Sequence, residues 1–319
     1  MDRDFKKKVL EKFLTQFYFE PQVYNKEKIS KNNKYIFVGM GGSGLSGEII
    51  KILKPEIDII IWKNYKLPNF KDLKERVFIF NSYSGNTEEI IHAYKKTKFK
   101  KIVITSNGEL LKLAKKNCDP YIQIPNLELQ PRFTLIAQII ALLKILDEKL
   151  ISEIKNFKGK IDIKKIDKLS FRLAKKIYKF IPVFYSSFEN RPLAYLWKIK
   201  INENSKIPAF HNFFPELNHN EIISFSKYQF SKRFYFIFLC DKEDDNRIKL
   251  RMKLTKRIYK KFGLKVFDFE IFGKNKVEKL INSLLLSDFT SLYLADFYRE
   301  EPTNIKIIED FKNELWKRR

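Results

Sequence analysis

The chain has 319 residues, 44% hydrophobic and 15% aromatic, a composition that supplies one large core or two smaller ones and excludes a disordered chain. Its 63 basic residues against 38 acidic ones give a formal charge of +25, but the lysines are scattered among acids along nearly the whole length. Without zinc-finger spacing or a basic arm, that pattern describes a solvated basic surface that attracts small anions, and no specific nucleic-acid partner is expected.

The N-terminal eight residues lack the apolar core of a signal peptide, and residues 2–17 are predicted as an amphipathic helix. Short apolar runs then alternate with helical stretches. The sequence predicts strand 34–39, helix 43–53, strands 57–62 and 76–80, helix 87–98, strand 101–105, helix 108–116, strand 121–124 and helix 132–147. The longest apolar stretch, residues 133–146, is interrupted by Gln138 and Lys144 and is too short to span a bilayer, so a buried helix and no membrane partner are expected. A lysine-rich, glycine-poor connector from about 148 to 165 leads into helix 165–178, strand 181–186 and helix 190–202. An irregular stretch bearing Pro and Asn follows to about 220, then strand 233–240, helix 245–262, strand 265–270 and helix 276–299. Pro302 is expected to start a terminal helix. The alternation predicts an α/β fold of two doubly wound subdomains, residues 1–150 and 151–319, each a mainly parallel sheet flanked by helices. Cys118 and Cys240, far apart and without CxxC spacing, fit neither a disulfide framework nor a structural zinc site and point to a reducing cytoplasm.

Two glycine–serine turns carry the chemistry of the first half. Gly39-Met40-Gly41-Gly42-Ser43-Gly44 follows one predicted strand, and Ser82-Tyr83-Ser84-Gly85-Asn86-Thr87 follows another. Each lies between a strand and a helix, where unsatisfied N–H donors and a partial positive charge suit a phosphate. Gly42, Ser43, Ser82, Ser84 and Thr87 are the expected phosphate-binding residues; Thr87 also reads as an N-cap ahead of Glu88 and Glu89, and the two roles are compatible. Gly39, Gly41 and Gly44 fit GxGxxG, but the next strand ends in Trp62 where a dinucleotide site expects an acid, and no GKS or GKT is present. In the second half Ser186-Ser187 ends the first strand without a Gly-Gly partner, so only the first half is expected to keep the full grip.

Gly41-Gly42-Ser43-Gly44, followed about forty residues later by Ser82-Tyr83-Ser84-Gly85-Asn86-Thr87-Glu88-Glu89, resembles the sugar isomerase (SIS) fold. The segment from Glu189 through Trp197 to Asn202-Glu203-Asn204, with Glu216-Leu217-Asn218-His219-Asn220-Glu221, resembles the bifunctional phosphoglucose/phosphomannose isomerases, and the similarity extends to residues 302–312. The resemblance implies two SIS-type, flavodoxin-like subdomains and a homodimer with shared active sites. It also implies a cofactor-independent aldose–ketose isomerase, metal-free, that interconverts glucose 6-phosphate or mannose 6-phosphate with fructose 6-phosphate through an enediol. That reaction needs a base moving a proton between C1 and C2, a group that opens the ring, and a fixed phosphate.

By resemblance Glu203 is the base, His219 is the ring-opening group supplied by the neighbouring subunit, and Arg132 stabilises the enediolate. Lys312 matches the lysine of the family's terminal helix, with Lys306 the competing assignment. Read by themselves, Glu203 beside Asn202 and Asn204 is a solvated or capping residue, Arg132 an exposed arginine at a helix start, and His219 a polar-loop histidine. His92 and His211 are expected to be structural. Ile305, two turns before Lys312 where the family can carry a hydroxyl residue, leaves the balance between the two hexoses open. The rival readings are an SIS isomerase of a pentose, heptose or aminosugar phosphate, and a non-catalytic sugar-phosphate sensor that would keep the serines without Glu203 and His219.

Overall fold

The structure, a computed structural model, describes residues 3–28 and 34–317; Asp2, included in the first expected helix, lies outside them. Two compact units emerge, one built on Lys6–Asp162 with Phe272–Asn282, the other on Ile163–Ile271 with residues 3–5 and 283–317.

The sheet of the first unit consists of β1 (Val23–Tyr24), β2 (Lys34–Gly39), β3 (Asp58–Trp62), β4 (Val77–Ser82), β5 (Lys101–Thr105) and β6 (Tyr121–Gln123). Their order is β1-β6-β5-β4-β2-β3, parallel throughout except for β1, which pairs antiparallel with β6. The associated helices are most of α1 (Arg3–Thr15), α2 (Gly41–Leu53), α3 (Glu88–Lys96), α4 (Gly108–Lys116), α5 (Leu135–Leu146) and α6 (Lys149–Phe157). β4 is buried along its whole length and β2 beyond Lys34, as parallel strands covered on both faces must be. The chain runs from β2 outward to β3, then returns to place β4 on the other flank of β2. Strand order therefore reverses between β2 and β4, and open α/β sheets take ligands at the carboxyl ends of the strands at such a point. Pairing of Gly39 with Asn81 sets the two strand ends level, and each end leads into one of the glycine–serine turns.

The second unit repeats the plan with β7 (Ile181–Ser187), β8 (Phe210–Phe214), β9 (Phe234–Cys240) and β10 (Lys265–Glu270), all parallel in the order β10-β9-β7-β8. Its helices are α7 (Ile163–Ile177), α8 (Arg191–Ser205), α9 (Tyr228–Ser231), α10 (Asn246–Lys261), most of α11 (Lys276–Tyr298) and α12 (Lys306–Lys317). No described helix is long and apolar enough to cross a membrane. α5 is buried from Leu135 to Leu143 and packs on α2, as expected of the apolar stretch.

Three expectations are corrected. Residues 148–165 are not a connector: Leu150, Ile154 and Phe157 recur at helical spacing, and α6 buries Ile154 and Phe157 while its polar residues face outward. The stretch to 220 is not irregular throughout, because its aromatic run forms β8, pairing Val183 with Phe210 through to Ser187 with Phe214. The terminal helix begins at Lys306, not Pro302: Asn304 Oδ1 accepts the Lys306 N–H at 3.0 Å, and the Ile305 carbonyl accepts from Ile308 and Glu309. Ile305 is thus the residue directly before α12, its carbonyl taking the first bonds of the helix.

Candidate functional site

The first turn enters α2 directly. Met40 is extended, and among the described residues Gly44 is the first whose N–H bonds back, to the Met40 carbonyl at 2.9 Å. The N–H groups of Gly41, Gly42 and Ser43 thus stand at the open end of the helix, where an anion is favoured. Ser43 is buried, and its Oγ accepts the Tyr83 N–H at 3.1 Å, tying the first turn to the second. From β4 the Asn81 amide reaches the Ser43 carbonyl at 3.0 Å, Ser46 Oγ at 2.9 Å and Gln138 Oε1 at 3.0 Å, so strand, helix and α5 are locked beneath both turns.

In the second turn the Ser82 and Thr87 hydroxyls lie 2.8 Å apart. Thr87 does occupy the N-cap of α3, but its side chain does not cap the helix; the hydroxyl is turned to Ser82 instead. Ser84 is exposed at the tip, and its Oγ accepts the Asn86 N–H at 3.3 Å. Gly85 adopts a φ of 69°, and a Cβ there would lie 1.7 Å from the Asn107 carbonyl oxygen, so close backbone approach requires glycine.

Arg132 joins this group from α5's approach. A Cβ on Gly42 would meet the Arg132 backbone nitrogen at 3.0 Å, so the glycine is what admits the Pro131–Phe133 turn against α2. The arginine is buried, not exposed as its position at a helix start implied by itself, and its guanidinium carbon lies 5.0 Å from the centre of the Phe133 ring. Gln138 Nε2 and Thr134 Oγ1 both donate to the Pro131 carbonyl, and Gln16 Nε2 donates to that of Phe133 at 2.9 Å. Gly42, Ser43, Ser82, Ser84, Thr87 and Arg132 all belong to one unit and are linked by these contacts. Sequence reasoning missed Asn81, Tyr83, Gln138 and Gln16. Asn81 did leave a signal, a lone amide ending an apolar strand; Gln16 left none.

Glu203, His219 and Lys312 belong to the other unit. Glu203 is half-buried in the last turn of α8, which ends where Lys206 turns left-handed at a φ of 58° and its Nζ takes the Glu203 carbonyl at 2.6 Å. His219 is exposed and closes a short helical turn, Glu216–Asn218, with its N–H on the Glu216 carbonyl at 2.9 Å. The polar residues around it are tied down. Asn218 Nδ2 donates to Thr255 Oγ1 at 2.8 Å, Asn220 Nδ2 to Glu216 Oε1 at 2.8 Å, and the Glu221 carboxylate accepts from Tyr185 and Asn212. Burial pushes the Tyr185 phenol well above its usual range, so it stays a neutral donor to Glu221. The imidazole of His219 makes no hydrogen bond among the described residues.

Lys306 is paired along α12 with Asp310 at 2.7 Å, whereas Lys312 is exposed and forms no ion pair among the described residues. His92 lies edge-on to Tyr65, and His211 packs against Tyr195.

The second sheet has its own point of reversal, between β7 and β9, and its chemistry is opposite. There Asn190 Nδ2 is shared among Ser187 Oγ, Asp241 and Asp244, and Asp244 Oδ2 accepts the Asp241 N–H at 2.9 Å. Burial raises the Asp244 carboxyl above its ordinary range. Two buried carboxylates repel a phosphate dianion, so this end of the second sheet is no counterpart of the first. A nearby open cavity of about 750 Å³ sets Lys249, Lys253 and Lys256 against Asp244, Asp268 and Glu270, a balanced lining with no preference for an anion. Among the described residues no group of three or more His, Cys, Asp or Glu could hold a metal ion.

Residues 166–315 match the bacterial phospho-glucose isomerase C-terminal SIS domain. The chain is 33% identical to the bifunctional phosphoglucose/phosphomannose isomerase of Aquifex aeolicus over 97% of its own length and 98% of that protein's. It is 35% identical to the enzyme of the same name from Caldicellulosiruptor bescii over 89% of each. The chain belongs to the bifunctional phosphoglucose/phosphomannose isomerase family. A D-glucosamine-6-phosphate 4-epimerase of Sulfolobus acidocaldarius is also similar to this family member, with 32% identity over 70% of the chain and 72% of the epimerase. Among solved structures, the hypothetical protein TT0462 of Thermus thermophilus shares the fold, with a TM-score of 0.72 at 12% identity over 97% of this chain and 87% of that one.

Proposed function

We propose that this chain interconverts glucose 6-phosphate and mannose 6-phosphate with fructose 6-phosphate by enediol proton transfer, without a cofactor. The observation that carries this reading is the pair of turns joined through Ser43 and Tyr83 at the level ends of β2 and β4, which offers N–H groups and hydroxyls to one phosphate. Gly42, Ser43, Ser82, Ser84 and Thr87 hold that phosphate. Holding it turns the approach of base and carbon into an intramolecular event, which lowers the barrier by supplying orientation in advance. Glu203 removes the proton from one carbon and returns it to its neighbour; rotation of the substrate about C2–C3 lets the same carboxylate serve both epimers. Arg132 stabilises the enediolate charge, Lys312 assists from α12, and His219 gives and takes the proton that opens the ring.

The presence of Glu203 and His219 together favours catalysis over sugar-phosphate sensing. The protein acts in the cytoplasm as a homodimer, with His219 of each protomer serving its partner's substrate. A coupled assay offering each hexose phosphate separately should show fructose 6-phosphate formed from both glucose 6-phosphate and mannose 6-phosphate, and no turnover of glucosamine 6-phosphate. Turnover of the aminosugar alone would replace this reading with an epimerase or aminosugar isomerase. For the shared site, inactive Glu203→Gln and His219→Ala proteins mixed in equal amounts under subunit exchange should recover up to about a quarter of wild-type activity overall, because about half of the dimers are mixed and one of the two sites in each is intact. No recovery would place both groups on one chain's substrate.

A further inference from the structure

The helix that carries Glu203 is fastened by a buried polar strip. α11 is buried without a break from Leu280 to Leu292. Against it, in the same unit, Lys200 of α8 and Asp288 of α11 form an ion pair with side chains only 1% and 3% exposed. One turn along α8, Asn204 Nδ2 donates to Ser291 Oγ at 2.8 Å, and Ser205 Oγ donates to the Ser291 carbonyl at 2.8 Å. Ser291 Oγ in turn donates to the Asp288 carbonyl at 2.8 Å, closing the strip.

Stability alone does not explain such a strip. Desolvating two charges costs more than packing leucine or methionine of similar volume, so an apolar replacement holds two helices together at least as well. What the apolar replacement lacks is a single alignment: smooth faces tolerate rotation and sliding, whereas a buried ion pair and directed hydrogen bonds satisfy one register. Glu203 lies three residues after Lys200 and directly before Asn204, about 100° round the helix from it. The backbone on either side is fixed as well, by Asn202 Nδ2 on the Ile207 carbonyl at 2.8 Å and Lys206 Nζ on the carbonyls of Glu203 and Pro302.

We infer that Lys200 and Asp288, with Ser291, are positioning residues that hold the rotation and register of the last turn of α8 and so aim the Glu203 carboxylate at the reacting carbons. This rests on the assignment of Glu203 as the base. A base displaced by about 1 Å loses on the order of 10²-fold in rate, while a phosphate held by other residues still binds.

The test is the double variant Lys200→Met with Asp288→Leu, which removes both charges together and leaves neither buried alone. Its melting temperature should equal or exceed that of the wild type. KM for fructose 6-phosphate should stay within about twofold, and kcat should fall by roughly 10–100-fold. Wild-type kcat in the folded double variant would overturn the inference, as would a loss of kcat accompanied by a proportionate loss of stability and rise in KM. Should the double variant not fold, Ser291→Ala retains the ion pair and deletes only the hydroxyl that Asn204 reaches; several-fold lower kcat at unchanged KM is expected, and unchanged kcat would overturn the inference. Glu203→Gln measured alongside separates the two claims. An active Glu203→Gln protein removes the base assignment itself, whereas an inactive one beside a fully active double variant removes only the positioning role.

Discussion

Glu203→Gln is expected to lower kcat by roughly 10²–10⁴-fold while the hexose phosphate still binds with near wild-type affinity. The amide has nearly the shape of the carboxylate but is far too weak a base to take a proton from carbon. That near-identical shape also preserves the packing of the side chain. Glu203 lies half-buried in the last turn of α8, and the bonds of Asn202, Asn204, Ser205 and Lys206 that hold this turn do not use the Glu203 carboxylate. Loss of turnover should therefore come without a large shift in melting temperature. Steady-state kinetics together with equilibrium binding of fructose 6-phosphate would check this. More than a tenth of wild-type kcat would remove Glu203 from the role.

Gly85→Ala should strike binding where Glu203→Gln strikes chemistry. At a φ of 69°, an alanine Cβ would lie 1.7 Å from the Asn107 carbonyl oxygen, 2.7 Å from its carbon and 2.9 Å from Thr105 Oγ1. The first two are backbone atoms at the entry to α4, so no side-chain rotation relieves the overlap. Gly85 must move, although its N–H bonds the Ser82 carbonyl at 3.0 Å and its carbonyl accepts from Leu110 at 2.9 Å. Moving it displaces Ser84 and separates Ser82 from Thr87. A destabilisation of about 2–4 kcal/mol follows from strain and lost bonds, seen as a melting temperature lower by roughly 5–10 °C. KM for the hexose phosphates should rise by roughly 10–100-fold, equivalent to about 1.4–2.8 kcal/mol of binding. A folded variant with wild-type KM would show that this turn does not hold the phosphate.

Much of this was legible in the residues. Strand 101–105, helix 108–116 and strand 265–270 fall where local pattern puts them, because a short apolar run bounded by turn residues, or a 3.6-residue periodicity, is a local property. The two glycine–serine turns were legible for the same reason, since their φ requirements and hydroxyl density lie within six residues. β8 was not. Phe210-His211-Asn212-Phe213-Phe214 mixes polar and aromatic residues after Pro208, and it is a strand because β7 offers it a partner edge. α6 was hidden by the lysine-rich composition of the longer stretch around it, residues 148–165, which masked the helical spacing of Leu150, Ile154 and Phe157.

The sequence by itself determined the doubly wound α/β plan, the placement of the two glycine–serine turns in the first unit, and the family through Ser82–Thr87 and Glu216–Glu221. Only the tertiary structure decided which polar groups are buried and whom they meet. Gln16 reaches the turn of Arg132 from 117 positions away, and Lys200 meets Asp288 across 88. In a chain with 63 basic residues nothing local separates a buried lysine or arginine from a solvated one. Burial is set by what packs opposite, and that partner is chosen by the fold, not by the neighbours in sequence.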